Sequence, residues 1–199
     1  MAATGAQTSK TSARRRIPAG IFTVADAVAA GISRPTIYRL VSGGSVIQLD
    51  RGIFQNPATD IDPADFDFAI ACAHFGPQST IGGLTALFRY GLIEQVPSKT
   101  WILVPQHIKR RGARYRVIRT KLDPLIGISR HRYYRIANIN RAIVEALRYS
   151  TKLGLSTAIH AARTAIKSHQ TSEAKILKAA RNLGLERFVL RQWDAIIVE

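Results

Sequence analysis

The sequence predicts an α+β protein: an N-terminal winged helix-turn-helix followed by a larger mixed, mainly helical domain with a small sheet. Three observations carry this. Two short helical patterns meet at Gly31-Ile32-Ser33 and run on into a hairpin signal at Asp50-Arg51-Gly52. Two strand-like runs, Thr100 to Val104 and Tyr115 to Arg119, stand in mid-chain. From Ile139 onward apolar residues recur at helical spacing, with Gly154 and Gly184 as breaks.

The elements follow in order. Residues 1–13 are rich in Ala, Ser, Thr and Gly and read as a disordered tail; Arg14-Arg15-Arg16 then reads as a basic arm for phosphates or a minor groove. Thr23 is a good N-cap, and Asp26 completes a capping box. Val24, Ala25, Val28 and Ala29 form the apolar side of this first helix, and Gly31 stops it. Ser33 caps the second helix and Pro35 suits its first turn. Its buried face is Ile37, Leu40 and Val41, and Gly43-Gly44 ends it. Val46 to Leu49 and Ile53 to Gln55 are the wing strands. The winged unit is placed at residues 14–57, a hinge runs over Asn56 to Asp62, and the second domain covers residues 63–199. There, a helix ends near Phe75 and another opens at Ser79 or Thr80. Four more helices are predicted over Ile139–Tyr149, Ser156–Ser168, Ser172–Leu183 and Glu186–Ile197.

Charge narrows the function. Lys and Arg number 29 against 13 Asp and Glu, a formal net charge of +16. Such an excess draws polyanions by steering and counterion release. A hydrophobic content of 46% supports a packed core rather than a disordered basic tail. No segment approaches the ~20 apolar residues of a membrane span, and the N-terminus lacks an apolar signal core. One cysteine, Cys72, permits no internal disulfide, so a cytoplasmic protein without membrane partners is expected. No G-x-S-x-G elbow, phosphate-binding P-loop or H-E-x-x-H is present. The expectation is a non-enzyme with no cofactor and no metal. Gly44-Ser45 with Asp60-Ile61-Asp62 imitates a nucleotidyltransferase site, but its glycine-serine enters a wing strand and its carboxylates sit between prolines.

A helix-turn-helix presents its second helix to the major groove. The outward residues of that helix are Arg34, Pro35, Thr36, Tyr38 and Arg39. Arginine bonds bidentately to guanine, threonine meets a thymine methyl, and tyrosine reaches a base or phosphate. Ser33 or Ser42 is placed for phosphate oxygens, and Arg51 at the wing tip for the backbone. A second basic region holds Lys109, Arg110, Arg111, Arg114, Arg116, Arg119 and Lys121, interleaved with Tyr115 and followed by Arg130-His131-Arg132-Tyr133-Tyr134-Arg135. It reads either as a solvated face with tyrosines in the core, or as a second nucleic-acid surface. Aromatics there would stack on unpaired bases, which makes RNA a possible partner.

These residues also carry a resemblance. Ile21-Phe22-Thr23, Asp26, Gly31-Ile32-Ser33, Leu40-Val41 and Arg51-Gly52-Ile53-Phe54 resemble the N-terminal winged helix of AbiEi-type antitoxins. Ser79 to Leu87, Leu92 to Pro97, Trp101 to Val104 and Asn140 to Arg148 are similar to later segments of the same proteins, in the same order. The resemblance implies a DNA-binding antitoxin of a type IV, abortive-infection system. It implies binding to inverted repeats in the protein's own promoter and repression of the operon. It also implies neutralisation of a nucleotidyltransferase-like toxin without a stable complex. Phe54 departs from the tyrosine many members carry, which keeps the packing and removes a hydroxyl.

Overall fold

The computed structural model describes residues 17–197. The predicted tail and the Arg14-Arg15-Arg16 arm lie outside the described residues. The chain divides into two compact units, Met1–His74 and Phe75–Glu199.

The first unit opens with strand β1 (Ile21–Thr23), helix α1 (Val24–Ala29) and helix α2 (Arg34–Ser42). Strands β2 (Ile47–Asp50) and β3 (Ile53–Gln55) form the hairpin wing. The sheet order is β1-β3-β2, antiparallel throughout, so β3 is the central strand. Phe22, Ala27, Ile32, Ile37, Val46 and Phe54 make its core, with Val24, Leu40 and Val41 packed against it. The Thr23 hydroxyl accepts from the Asp26 amide at 3.3 Å, and the Asp26 carboxylate accepts from the Thr23 amide at 2.8 Å. This is the predicted capping box. Gly31 has φ +79°, the left-handed conformation that lets a six-residue helix stop and turn at once.

Two local expectations change. Strand β1 has no sequence cue of its own. It exists because Ile21, Phe22 and Thr23 pair with Gln55, Phe54 and Ile53, far along the chain. The buried residue of α1 is Ala27 at 0% exposure, whereas Val28 is 51% exposed. The helix packs closely on its neighbours, and the smaller side chain takes the inner face. Helix α3 (Pro63–Phe75) then runs to the boundary of the unit. Asp62 caps it, its carboxylate accepting from the Ala64 amide at 2.9 Å. Cys72 is buried within it.

The second unit contains a five-stranded mixed sheet in the order β6-β5-β4-β8-β7. Its strands are β4 (Thr80–Ile81), β5 (Thr100–Pro105), β6 (Tyr115–Thr120), β7 (Ile128–Arg130) and β8 (Arg135–Ala137). The predicted helix start at Ser79 or Thr80 is therefore a strand. The helix there, α4 (Gly83–Arg89), begins three residues later. Gly82 and Gly83 enforce the switch: a Cβ on Gly83 would lie 2.5 Å from the Trp101 ring, and one on Gly82 2.7 Å from Leu103. Strands β7 and β8 have no counterpart among the predicted elements.

Helices α5 (Ile139–Arg148), α6 (Ser150–Leu153), α7 (Leu155–Lys167), α8 (Glu173–Asn182), α9 (Glu186–Leu190) and α10 (Trp193–Ile197) complete the unit. The predicted last helix is thus two short ones. Helix α5 lies at the centre, with Arg141 through Leu147 all buried. Arg141 is 0% exposed, and each of its guanidinium nitrogens is bonded. Its Nε and Nη2 donate to Glu145 Oε1 at 3.1 and 3.0 Å. Its Nη1 donates to the carbonyls of Asp123, Pro124 and Ile126. One buried guanidinium thereby fastens an irregular loop to the central helix. Burial pushes the Glu145 carboxyl above the usual carboxylate range, and the Arg141 charge pulls the other way.

Candidate nucleic-acid interface

Helix α2 places its residues as amphipathic spacing dictates. Ile37 is buried, while Arg34, Pro35, Tyr38 and Arg39 are exposed and Thr36 is half-buried. Tyr38 is 49% exposed, with its ring edge-on to Phe54 at 6.0 Å, so the core supports one side of it. Ser33 stands at the N-cap, but its hydroxyl makes no cap bond. It meets the Thr36 hydroxyl at 2.8 Å instead. Arg39 Nη2 donates to the same Thr36 oxygen at 3.0 Å. Ser33, Thr36 and Arg39 form one hydrogen-bonded chain along an exposed helix ridge, three residues apart. This replaces the expected cap and gives Thr36 a second role, holding a guanidinium. The spacing of polar residues at i, i+3 and i+6 was the available signal.

Arg51 is exposed at the wing tip, where its amide donates to Asp50 Oδ1 at 2.7 Å. Asp50 in turn lies 3.9 Å from His74 of α3. Exposed positive side chains thus stand on α2 and on the wing of one small unit.

The second basic region divides into several parts. Lys109, Arg110, Arg111 and Arg114 are exposed in the connection between β5 and β6. Arg119 donates from Nε to the Ile108 carbonyl at 2.9 Å and from Nη2 to the Arg110 carbonyl at 3.2 Å. Arg135 donates to the Ser79 carbonyl at 2.8 Å and the Gly76 carbonyl at 3.1 Å. These two arginines build the fold. The aromatics are engaged as well. Tyr115 is buried, edge-on to Phe75 at 5.1 Å. Tyr134 is buried and stacked on His131 at 4.3 Å. Arg116 covers the buried Trp101 ring at 5.7 Å, and Arg132 the Tyr133 ring at 5.3 Å. Tyr115 and Tyr134, expected as base-stacking platforms, are thus packed against the protein itself, and Tyr133 is half-buried.

Elsewhere the geometry is quiet. Among the described residues no three His, Cys, Asp or Glu side chains are grouped to hold a metal ion. No helix among them is long and apolar enough to cross a membrane.

The fold and its exposed basic side chains define the class: a winged helix-turn-helix followed by a larger α+β unit. The comparisons with known proteins agree. Residues 12–57 match the family described as transcriptional regulator, AbiEi antitoxin, the family the sequence itself resembles. Among solved structures, the RV2827C protein from Mycobacterium tuberculosis is similar, with a TM-score of 0.52 and 13% identity. That likeness covers 91% of this chain and 72% of that one, and it concerns the fold alone. No curated protein matches the sequence.

Proposed function

We propose that the protein is a DNA-binding transcriptional autorepressor and the antitoxin of a type IV, abortive-infection operon. In this reading residues 14–57 are the DNA-binding domain and residues 63–199 the antitoxin domain. Helix α2 enters a major groove of inverted repeats in the protein's own promoter. Arg34, Tyr38 and Arg39 meet base edges, Arg39 as the guanine reader, with Thr36 and Ser33 behind it. Arg51 and Arg14-Arg15-Arg16 hold the backbone, and Lys109, Arg110, Arg111 and Arg114 make a second, sequence-independent contact. The second domain neutralises a nucleotidyltransferase-like toxin, and the protein works in the cytoplasm without catalysis of its own.

One observation carries the reading. A regulator-family match falls on the segment whose second helix turns Arg34, Tyr38 and Arg39 outward beside a wing bearing Arg51. The competing reading is an RNA-binding factor that shields a toxin's substrate. The burial of Tyr115 and Tyr134 weakens its stacking argument, leaving the half-buried Tyr133 and the charge argument.

The test is fluorescence anisotropy on the protein's upstream DNA against a scrambled duplex, at near-physiological salt. A preference of about a thousandfold supports operator recognition. Equal, steeply salt-dependent binding to both duplexes sinks it and favours a general polyanion surface.

A further inference from the structure

Strands β5 and β6 are parallel neighbours, with Thr100 opposite Tyr115 and Pro105 opposite Thr120. Parallel neighbours usually need a crossover of a dozen or more residues, most often a helix. Here residues 106–114 make the return with no helix. They must travel back along the full length of β5, roughly 17 Å at ~3.3 Å per residue. The connection is therefore a strap drawn along the sheet. It lies in a stretch, between Glu94 and Asp123, that carries eight Lys and Arg and no carboxylate side chain.

The strap is held at both ends and along its middle. Its ends are turned, with the Ile108 amide donating to Pro105 and the Tyr115 amide to Gly112, both at 3.1 Å. Between those turns, Arg119 reaches from β6 to the carbonyls of Ile108, Lys109 and Arg110, at 2.9, 3.5 and 3.2 Å. A guanidinium suits this task because its planar fork presents several donors at once in fixed directions. The three carbonyls belong to the residues that carry, or directly precede, Lys109, Arg110 and Arg111.

We infer that Arg119 is a positioning residue: it fixes the 106–114 strap so that Lys109, Arg110, Arg111 and Arg114 form a pre-set row for the phosphates of a nucleic-acid backbone. The inference rests on the reading of the strap as a nucleic-acid surface. Arg119 itself touches no phosphate. A flexible strap with the same charges would have to be ordered on binding, and its affinity would fall by that cost.

The test uses the full chain and three variants: Arg119→Lys, Arg119→Ala and Arg110→Ala. Binding to a duplex of random sequence is measured by anisotropy over a salt series. Trypsin cutting after Lys109, Arg110 and Arg111 is followed in parallel without DNA. Arg110→Ala removes one phosphate contact, so the salt slope should fall by about one. Arg119→Lys keeps the charge but cannot span three carbonyls. It should weaken binding at least as much as Arg110→Ala and speed strap cleavage severalfold, with the melting temperature little changed. Arg119→Ala should match it. If Arg119→Lys keeps both wild-type affinity and wild-type trypsin resistance, Arg119 is no clamp and the inference is overturned. If Arg110→Ala leaves affinity and slope untouched, the strap is not a nucleic-acid surface. That result overturns the underlying reading whatever the trypsin data show.

Discussion

The arginines of helix α2 and the three that brace loops in the second unit have the same chemistry and opposite surroundings. On α2, Arg34 and Arg39 are exposed, and Arg39 bonds to a neighbour on its own helix. In the second unit Arg119, Arg135 and Arg141 donate to backbone carbonyls and hold loops in place. A sequence shows both sets as positive charge. What separates them is whether a carbonyl-rich irregular segment lies within reach, and that is a tertiary fact. An arginine that braces a loop and one left on an exposed helix face look alike until the loops around them are known.

The sharpest way to test this contrast is to remove a building arginine and one proposed to bind DNA and compare the losses. Arg141→Met strips a buried carboxylate of its counter-charge and three carbonyls of their donor. Stability should fall by about 3–5 kcal/mol, read by urea denaturation. Replacing Glu145 by Leu in the same chain should recover much of the loss. The deficit of the single variant should also depend on pH. Without Arg141 the Glu145 carboxyl rises further, so its folded value lies above its unfolded one. The protonated form is then tolerated at low pH, and stability is lost as pH rises through the folded value. The variant should be closer to wild type at pH 5 than at pH 8.

Arg39→Ala should do the reverse, leaving stability within about 0.5 kcal/mol and weakening operator binding by about 1–3 kcal/mol. Unchanged operator affinity would remove α2 from the interface. Asp26→Ala breaks the capping box and should cost about 1 kcal/mol of stability, a local effect intermediate between the two kinds. The smallest effect belongs to Thr36→Val, which keeps the shape and removes the hydroxyl that Arg39 bonds. Discrimination between operator and scrambled duplex should narrow by about 0.5–1.5 kcal/mol, with non-specific binding unchanged. If Thr36→Val is silent while Arg39→Ala is not, Arg39 reads without support.

The first unit was legible because its signals are local. Thr23 with Asp26 marks a helix start, Gly31 a stop, and Asp50-Arg51-Gly52 a turn, each within a few residues. Its one hidden element, β1, depends on a partner strand more than thirty residues away. The second unit was legible only in part for the same reason. Strand β4 has two residues, and β8 pairs with it in parallel from across the chain, a match with no sequence pattern to announce it. Tyr115 and Tyr134 carry the aromatic-basic signature of a binding surface and are nonetheless packed inside. The bracing role of Arg119 is hidden in the sequence because backbone carbonyls leave no trace in side-chain identity. Arg141 and Glu145 were the exception in principle: their i, i+4 spacing on an otherwise apolar helix is a readable pair.

The sheet and core of the winged unit draw all their strands and core residues from between Phe22 and Gln55 or immediately beside them. Small domains of this kind fold in microseconds to seconds. At ~5–20 residues per second, synthesis from Gln55 on to Arg119 takes roughly 3–13 s. The winged helix can therefore be complete on the ribosome while the segment holding the strap and its clamp is still unmade. The two halves of one polypeptide mature at different times, and the half proposed to find the operator matures first.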